Sequence, residues 1–304
     1  MRVGVTGASG FVGRALVTAL EERGDTVVRF VRPATDATRG PVVRWDPERG
    51  VVDSADLRLA GGFDAVVHLA GAGIGDRRWS TRRKKVILES RLASTSLLVS
   101  ALSELPTGVA AVASASAVGW YGNRAEEVLD ERSSRGTGFL SDVCDSWENA
   151  VQPLISQGTT VALLRSGIVL SAEGGVLKRQ LPLFRAGLGG RLGAGGQWMS
   201  PIALADEVRA VLWILDRSIS GPINLVAPDP VTNRAYSDLL GRSLHRPARL
   251  AIPSPLLRLA LGSEMADELL LTSQRVLPSA LASSGFAFRY RDLPSILGRA
   301  LAEA

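Results

Sequence analysis

Three glycines near the N-terminus have the spacing and the surroundings of a phosphate-binding turn. Gly7, Gly10 and Gly13 lie in the segment GASGFVG, which follows the β-rich run RVGVT and precedes a helical pattern. The first glycine permits a sharp turn, the second lets the backbone approach a pyrophosphate, and the third lets the helix pack closely on the strand. Free N–H groups at a helix N-terminus attract anions. The segment predicts a dinucleotide site, or alternatively a turn without a ligand; the predicted contacts are Gly7, Ser9, Gly10, Phe11, Val12 and Gly13.

The end of the second predicted strand suggests which dinucleotide would bind. Proteins that prefer NAD carry an acidic residue there, which binds the ribose 2′-hydroxyl. This strand ends in VRFVRP, and no carboxylate follows until Asp36. The guanidinium of Arg32 could bind a 2′-phosphate through two hydrogen bonds. We therefore predict NADP(H) as the cofactor, with a surface arginine and indiscriminate NAD binding as the alternatives.

Three further side chains are candidates for chemistry beside a nicotinamide. Ser116, at a strand end, could bind a substrate oxygen or merely satisfy backbone groups. Tyr121 could donate a proton or line the pocket wall. Cys144, the single cysteine, could be a redox-sensitive thiol or a small buried residue.

Nearby ionisable residues are expected to be structural. Asp142, Asp145 and Glu148 recur at intervals of three, which predicts a solvated helix face that pairs with arginines. His68 lies in the apolar run AVVHLAG, so a core histidine is favoured over a proton shuttle.

Strands and helices alternate in the segments that must position these residues. The predicted strands are 2–6, 26–31, 65–69, 109–114 and 161–170, and the predicted helices are 11–23, 84–105 and 139–157. This alternation is typical of an α/β, Rossmann-type, doubly wound parallel sheet. Residues 1–170 form the predicted dinucleotide-binding domain, with 203–227 returning to the sheet. Residues 171–202 and 228–304, rich in glycine and proline, form a smaller C-terminal, substrate-side lobe.

Composition excludes several functional classes. The 304 residues are 46% hydrophobic and 21% charged, and one cysteine and two histidines argue against disulfides and metal sites. The net charge of +5 is small. The densest basic run, within residues 77–85, predicts a solvated helix start or an anion-facing loop near a cofactor phosphate; it lacks the aromatic stacking partners of a nucleic-acid site. The N-terminus leads directly into a strand, and no apolar run approaches the roughly 18 residues that span a bilayer. We expect a cytoplasmic protein with a small-molecule substrate and no nucleic-acid or membrane partner. The sequence leaves both a monomer and a homodimer as alternatives.

Several motifs resemble the extended short-chain dehydrogenase/reductase family. They include TGASGFVG, HLAG (68–71) and SAVGWYG (116–122). Further segments, such as WDP (45–47), ESR (89–91), LRSGIVL (164–170) and RPARLAIP (246–253), resemble its epimerase-family, SulA-type branch, which has a C-terminal domain of unknown function. The resemblance implies a seven-stranded parallel sheet and a substrate cleft beneath the C-terminal lobe. It also implies that Leu69, Ala70, Gly71 and Arg165 contact the cofactor, and that Ser116 occupies the position of the family's catalytic serine.

The sequence departs from that family in two places. Short-chain reductases use a tyrosine and a lysine four residues apart on one helix, but the matching positions hold Leu140 and Cys144. Related sequences have tryptophan and histidine where this chain has Pro201 and Ala203, so their substrates should not be assumed. We predict an NADP(H)-dependent oxidoreductase or epimerase for a small, sugar-like or nucleotide-like carbonyl or alcohol. The alternative is a non-catalytic NADP(H) sensor, with a link to cell division.

Overall fold

A computed structural model describes residues 1–35 and 40–302, so Asp36 lies outside the described residues. Its centre is an eight-stranded sheet made of β1 (Arg2–Thr6), β2 (Thr26–Val31), β3 (Val42–Asp46), β4 (Val51–Val52), β5 (Phe63–His68), β6 (Val109–Ala117), β8 (Thr160–Ser166) and β13 (Gly221–Leu225). The strands lie in the order β13-β8-β6-β5-β1-β2-β3-β4, and only the β3–β4 pair is antiparallel. The predicted doubly wound parallel sheet is confirmed: seven parallel strands are extended by one antiparallel strand.

Helices cover both faces of the sheet because its strands carry buried apolar side chains on each face. One face packs on α1 (Phe11–Glu22), α7 (Leu204–Asp216) and α11 (Ser279–Ser283). The other packs on α2 (Ser54–Leu59), α3 (Thr81–Ser103) and α5 (Gln152–Ser156), with α4 (Phe139–Asn149) against α3.

The remaining elements form a smaller lobe and its joints with the sheet. Its helices are α6 (Gly175–Arg185), α8 (Asn233–Ser243), α9 (Ser254–Leu261), α10 (Ser263–Leu269) and α12 (Leu293–Ala302). Its strands, in two-stranded pairs, are β7 (Val128–Leu129), β9 (Ile168–Leu170), β10 (Gly190–Leu192), β11 (Trp198–Met199), β12 (Pro201–Ala203), β14 (Val231–Thr232), β15 (Leu250–Ile252) and β16 (Arg275–Val276). An apolar core formed by α6, α8 and α12 holds this lobe together.

Three predicted elements differ from the structure for local reasons. The segment 42–46 lies outside the predicted strands and helices but is β3, with Val43 and Trp45 buried on one side. The predicted strand 161–170 is divided at Gly167, where a side chain would lie 2.3 Å from the Ser200 carbonyl oxygen, and its second part pairs with β12 instead of the main sheet. The predicted helix 139–157 is two helices, because Pro153 has no N–H to continue the first.

Helix α3 also corrects the sequence analysis. It contains an 18-residue stretch that is apolar enough, by length and composition alone, to cross a membrane. In the fold this helix packs beside α4 and α5, with Ile87, Leu98 and Leu102 buried. It is therefore a core helix of the α/β unit.

Candidate functional site: the carboxyl edge of the sheet

The glycine turn between β1 and α1 leaves its backbone open. Gly7 has a φ of +65°, and a side chain there would lie 2.7 Å from the backbone of Leu69. A side chain at Gly13 would lie 2.1 Å from the Gly7 carbonyl oxygen, so only glycine lets α1 approach the turn. Gly10 precedes α1, no side chain caps the helix, and Ser9 and Gly10 are exposed. The positive end of α1 therefore faces solvent and can accept an anion.

A cavity of about 1180 Å³ begins at this turn and follows the carboxyl ends of β1, β2, β3 and β5. Of the predicted cofactor contacts, it is lined by Gly7, Ser9, Arg32, Ala70 and Gly71. Gly10, Phe11, Val12, Gly13 and Leu69 are not in the lining. Phe11 packs on Gly174 and Gly175 of the smaller lobe, and Gly13 is buried against the turn.

Arg32 lies at the far rim of the cavity, where it pairs with two carboxylates. Its side chain is 51% exposed, and it donates to Asp46 (3.1 Å), the last residue of β3, and to Glu48 (3.2 Å), which follows β3. The second strand indeed ends without a carboxylate, but the fold brings two from the next strand. Any phosphate that binds Arg32 must compete with these partners.

The loop after β5 is held by a buried chain of hydroxyl and imidazole groups. The Thr6 hydroxyl accepts hydrogen bonds from the N–H groups of Leu69 and Ala70, so its own proton goes to His68 Nδ1 at 2.8 Å. The other ring nitrogen then donates to Thr95 Oγ1 at 3.0 Å. Burial lowers the pKa of His68 to about 3, so the ring stays neutral. His68 is thus the core histidine, and it positions the loop that lines the cavity.

Ser116, Tyr121 and Arg165 belong to one buried network on the α4 side of the sheet. Arg165 makes a bidentate pair with Glu148 at 2.8 Å and 2.8 Å, and it lies over the ring of Trp120. Ser116 donates to the same carboxylate at 2.6 Å. The hydroxyl of Tyr121 donates to Asn224 at 2.8 Å and accepts from Arg165 at 3.2 Å.

The network bears on two sequence expectations. Arg165 is only 3% exposed and does not line the cavity, so the structure does not bring it together with the other predicted cofactor contacts, and its assignment to the cofactor stays a prediction. Glu148 is buried with Arg165, whereas Asp142 and Asp145 pair with Arg135 nearer the surface as predicted for a solvated face. Burial also raises the pKa of Tyr121, which makes this residue a poorer acid.

Cys144 is buried and lies on the inner face of α4. Its Sγ is 3.7 Å from the Ala117 carbonyl oxygen. Burial raises the pKa of the thiol to about 11, so it is protonated at neutral pH. The small buried residue is therefore the description that the structure favours over a reactive thiolate.

Arg91, which the sequence analysis quoted only within the ESR motif, lies near this helix. Its guanidinium is 4.8 Å from the ring of Trp147 on α4, and its Nη1 donates to the carbonyl of Ala72 at 3.0 Å. Nothing in its spacing predicted this position, because it depends on the packing of α3 on α4.

Pro201 and Ala203, where related sequences have tryptophan and histidine, are buried. Pro201 and Ala203 are in β12, paired with β9. Gln197 bonds two carbonyls of the smaller lobe, and Trp198 donates to Glu126 at 2.6 Å. Gln197 and Trp198, at the end of the glycine-rich segment 187–197, hold the lobe together and do not line the cavity.

Comparison with known proteins agrees with this architecture. Residues 3–138 match the NAD dependent epimerase/dehydratase family, and residues 252–300 match a domain of unknown function, DUF1731. An epimerase family protein of Mycobacterium tuberculosis is 45% identical over 299 residues, which are 98% of this chain and 97% of the relative.

Two solved structures are similar over the whole chain. The human epimerase family protein SDR39U1, crystallised with NADPH, has a TM-score of 0.89 and 31% identity, with 100% of each chain covered. A nucleoside-diphosphate sugar epimerase of Corynebacterium glutamicum has a TM-score of 0.79 and 35% identity, and the match covers 99% of this chain and 58% of that one. The chain therefore belongs to the epimerase family of extended short-chain dehydrogenases/reductases, in the branch that carries a C-terminal DUF1731 domain.

Proposed function

We propose that the protein is an NADP(H)-dependent oxidoreductase or epimerase-like enzyme that acts on a small carbonyl or alcohol. One observation carries this proposal: a single cavity joins an uncapped glycine turn at one end to the Arg32 guanidinium at the other. A pyrophosphate and a 2′-phosphate are the two anionic groups of NADP(H), and each end of the cavity suits one of them.

The residues present fit the cofactor. The N-terminus of α1 would hold the pyrophosphate beside Gly7 and Ser9, and the adenosine would occupy the cavity over the ends of β2 and β3. Arg32 would bind the 2′-phosphate in place of Glu48, whose carboxylate is 82% exposed and free to turn away. The human relative that was crystallised with NADPH supports the choice of this nucleotide.

When bound, the nicotinamide supplies or accepts a hydride. The chain contributes orientation and exclusion of water, through the loop that His68 and Thr6 hold in place. The hydroxyl protons of Ser116 and Tyr121 are both committed to buried acceptors, and Cys144 is a protonated thiol. A proton would therefore pass through water or a group of the substrate, and not through a tyrosine–lysine pair.

The same network supports a second candidate, a non-catalytic NADP(H) sensor. Candidate acids that are locked in a structural network are compatible with tight binding and no turnover. The two candidates differ in one measurable property, since an enzyme consumes NADPH with some carbonyl compound and a sensor consumes it with none.

Nucleotide titrations with an arginine variant test the cofactor. Arg32→Ala should weaken NADPH binding by about 1.5–3 kcal/mol, because a charge-assisted hydrogen bond is lost, and leave NADH binding nearly unchanged. Nicotinamide fluorescence would follow both titrations. The matched control is Arg49→Ala, an 84% exposed arginine that also faces Asp46 but is absent from the cavity lining. Equal weakening of both nucleotides, or no binding of either by the unaltered protein, would contradict the proposal.

A further inference from the structure

Two arginines of α3 hold the loop that follows β5. Arg83 donates through Nη2 to the carbonyl of Gly73. Arg91 donates through Nη1 to the carbonyls of Ala72 at 3.0 Å and Ile87 at 2.9 Å. The two guanidinium groups therefore contact neighbouring residues of this loop, Gly73 and Ala72, at the carboxyl edge of the sheet.

The charge at the start of α3 is the reverse of what a helix prefers. Residues 82–85 are four consecutive cations, and the first turn has no acidic residue, although the N-terminus of a helix favours negative charge. Lys84 and Lys85 have carboxylate partners, Glu264 at 2.9 Å and Glu89 at 3.5 Å. Among the described carboxylates, Arg83 approaches only that of Asp76, at 3.7 Å, and Arg179 binds the same carboxylate more closely, at 2.7 Å.

Arg91 has no carboxylate within 4 Å among residues 1–35 and 40–302. It is partly buried, and burial together with the charge of Arg83 lowers its pKa to about 10. The Nε of Arg83 is itself buried without a hydrogen-bond partner in the described part of the chain. One buried donor of Arg83 thus lacks an acceptor, and the two guanidinium groups repel each other, so an anion would balance the charge at this place.

The location relates this charge to the cofactor cavity. A side chain built at Gly71, which lines the cavity, would lie 3.4 Å from Arg91. On its other side Arg91 faces Trp147 of α4. With the adenosine over β2 and β3 and the pyrophosphate on α1, the nicotinamide half of a dinucleotide extends toward β5 and β6. The two arginines therefore lie next to the place where a substrate would meet the nicotinamide.

We infer that Arg91 and Arg83 bind a carboxylate or phosphate group of the substrate, so that the substrate class is a small anionic carbonyl or alcohol compound. The inference rests on the proposed function. The planar guanidinium fork matches both anions through paired hydrogen bonds, which an ammonium group cannot reproduce. The anion would also relieve the repulsion between Arg83 and Arg91.

Calorimetric titration of the NADP⁺-saturated protein tests the inference, with inorganic phosphate and malonate as the probes. We expect at least one to bind, and Arg91→Gln to weaken that binding about tenfold or more. Arg91→Lys keeps the positive charge but loses the planar guanidinium fork. Its affinity for the anion should lie between those of the unaltered protein and Arg91→Gln. Arg82→Gln is the matched control, because Arg82 is an exposed arginine of the same helix, next to Arg83. The probe that binds more tightly distinguishes a phosphate from a carboxylate substrate.

Separate titration of NADPH and thermal unfolding of each variant identify the cause of any loss. Arg91→Gln should retain NADPH affinity and a cooperative unfolding transition. The inference is overturned if neither anion binds the unaltered complex, if Arg91→Gln binds it equally well, or if Arg91→Gln loses NADPH to the same extent, since Arg91 would then serve the cofactor. Failure of the unaltered protein to bind NADPH would overturn the proposed function first, and the inference with it.

Discussion

The two halves of the carboxyl edge are built differently. Over β1, β2 and β3 the backbone of the glycine turn is open and Arg32 is half exposed. Over β6, β8 and β13 the polar side chains Ser116, Arg165 and Asn224 are at most 5% exposed and bonded within one network. The first half has its polar groups available to a ligand, whereas the second uses them for stability. In this fold, the groups that could bind a cofactor and the side chains that could donate a proton therefore lie in different halves of the edge.

The largest expected effect is at the centre of the second half. Glu148→Leu should lower the free energy of unfolding by about 3–5 kcal/mol, because it leaves the Arg165 guanidinium buried without its carboxylate. Denaturant unfolding would measure the loss. Asp145→Asn, which removes a more exposed partner of Arg135, should cost at most about 1 kcal/mol. Similar costs for the two variants would remove the contrast between the halves.

The free energy of unfolding is expected to depend on pH through Glu207 of α7, which packs on the other face of the sheet. Glu207 accepts from Ser166 at 2.6 Å, its Oε2 is buried without a partner among the described atoms, and burial raises its pKa from 4.5 to about 7. A carboxyl group whose folded pKa is raised binds protons more tightly when folded. Stability should therefore fall by about 3 kcal/mol in all as the pH rises from 4.5 through 7.

Thermal unfolding as a function of pH would detect this slope. Glu207→Gln should remove it and be more stable than the unaltered protein above pH 7, while Glu22→Gln, an exposed helical glutamate, should leave it unchanged. A slope that survives Glu207→Gln would assign the effect to another group.

The smallest expected effect on stability is in the first half. Gly10→Ala should weaken NADPH binding by about 1–3 kcal/mol, since a methyl group crowds the approach of the pyrophosphate. It should change the free energy of unfolding by less than about 1 kcal/mol, because the nearest atom to the new carbon, at 3.1 Å, is a single carbonyl oxygen. Gly13→Ala, whose new carbon would meet the backbone at 2.1 Å, should lose stability as well as binding. Equal stability of the two variants would contradict this distinction.

Local sequence determined the elements and the glycine turn. Thr26–Val31 is a strand within the predicted bounds, and α1 begins at the predicted Phe11, because apolar periodicity and glycine position are properties of neighbouring residues. The family motifs likewise identified the branch. The sequence also located Arg32 at the end of β2, where the cavity has its rim.

Tertiary structure alone decided what these side chains contact. Asp46 and Glu48 reach Arg32 only because β3 pairs with β2, and Arg165 meets Glu148 only because α4 packs on β6, the strand beside β8. Arg91 meets Trp147 through the packing of α3 on α4. Charge and hydrogen-bond energies depend on separations of a few ångströms and on burial, and residues far apart in the chain set both.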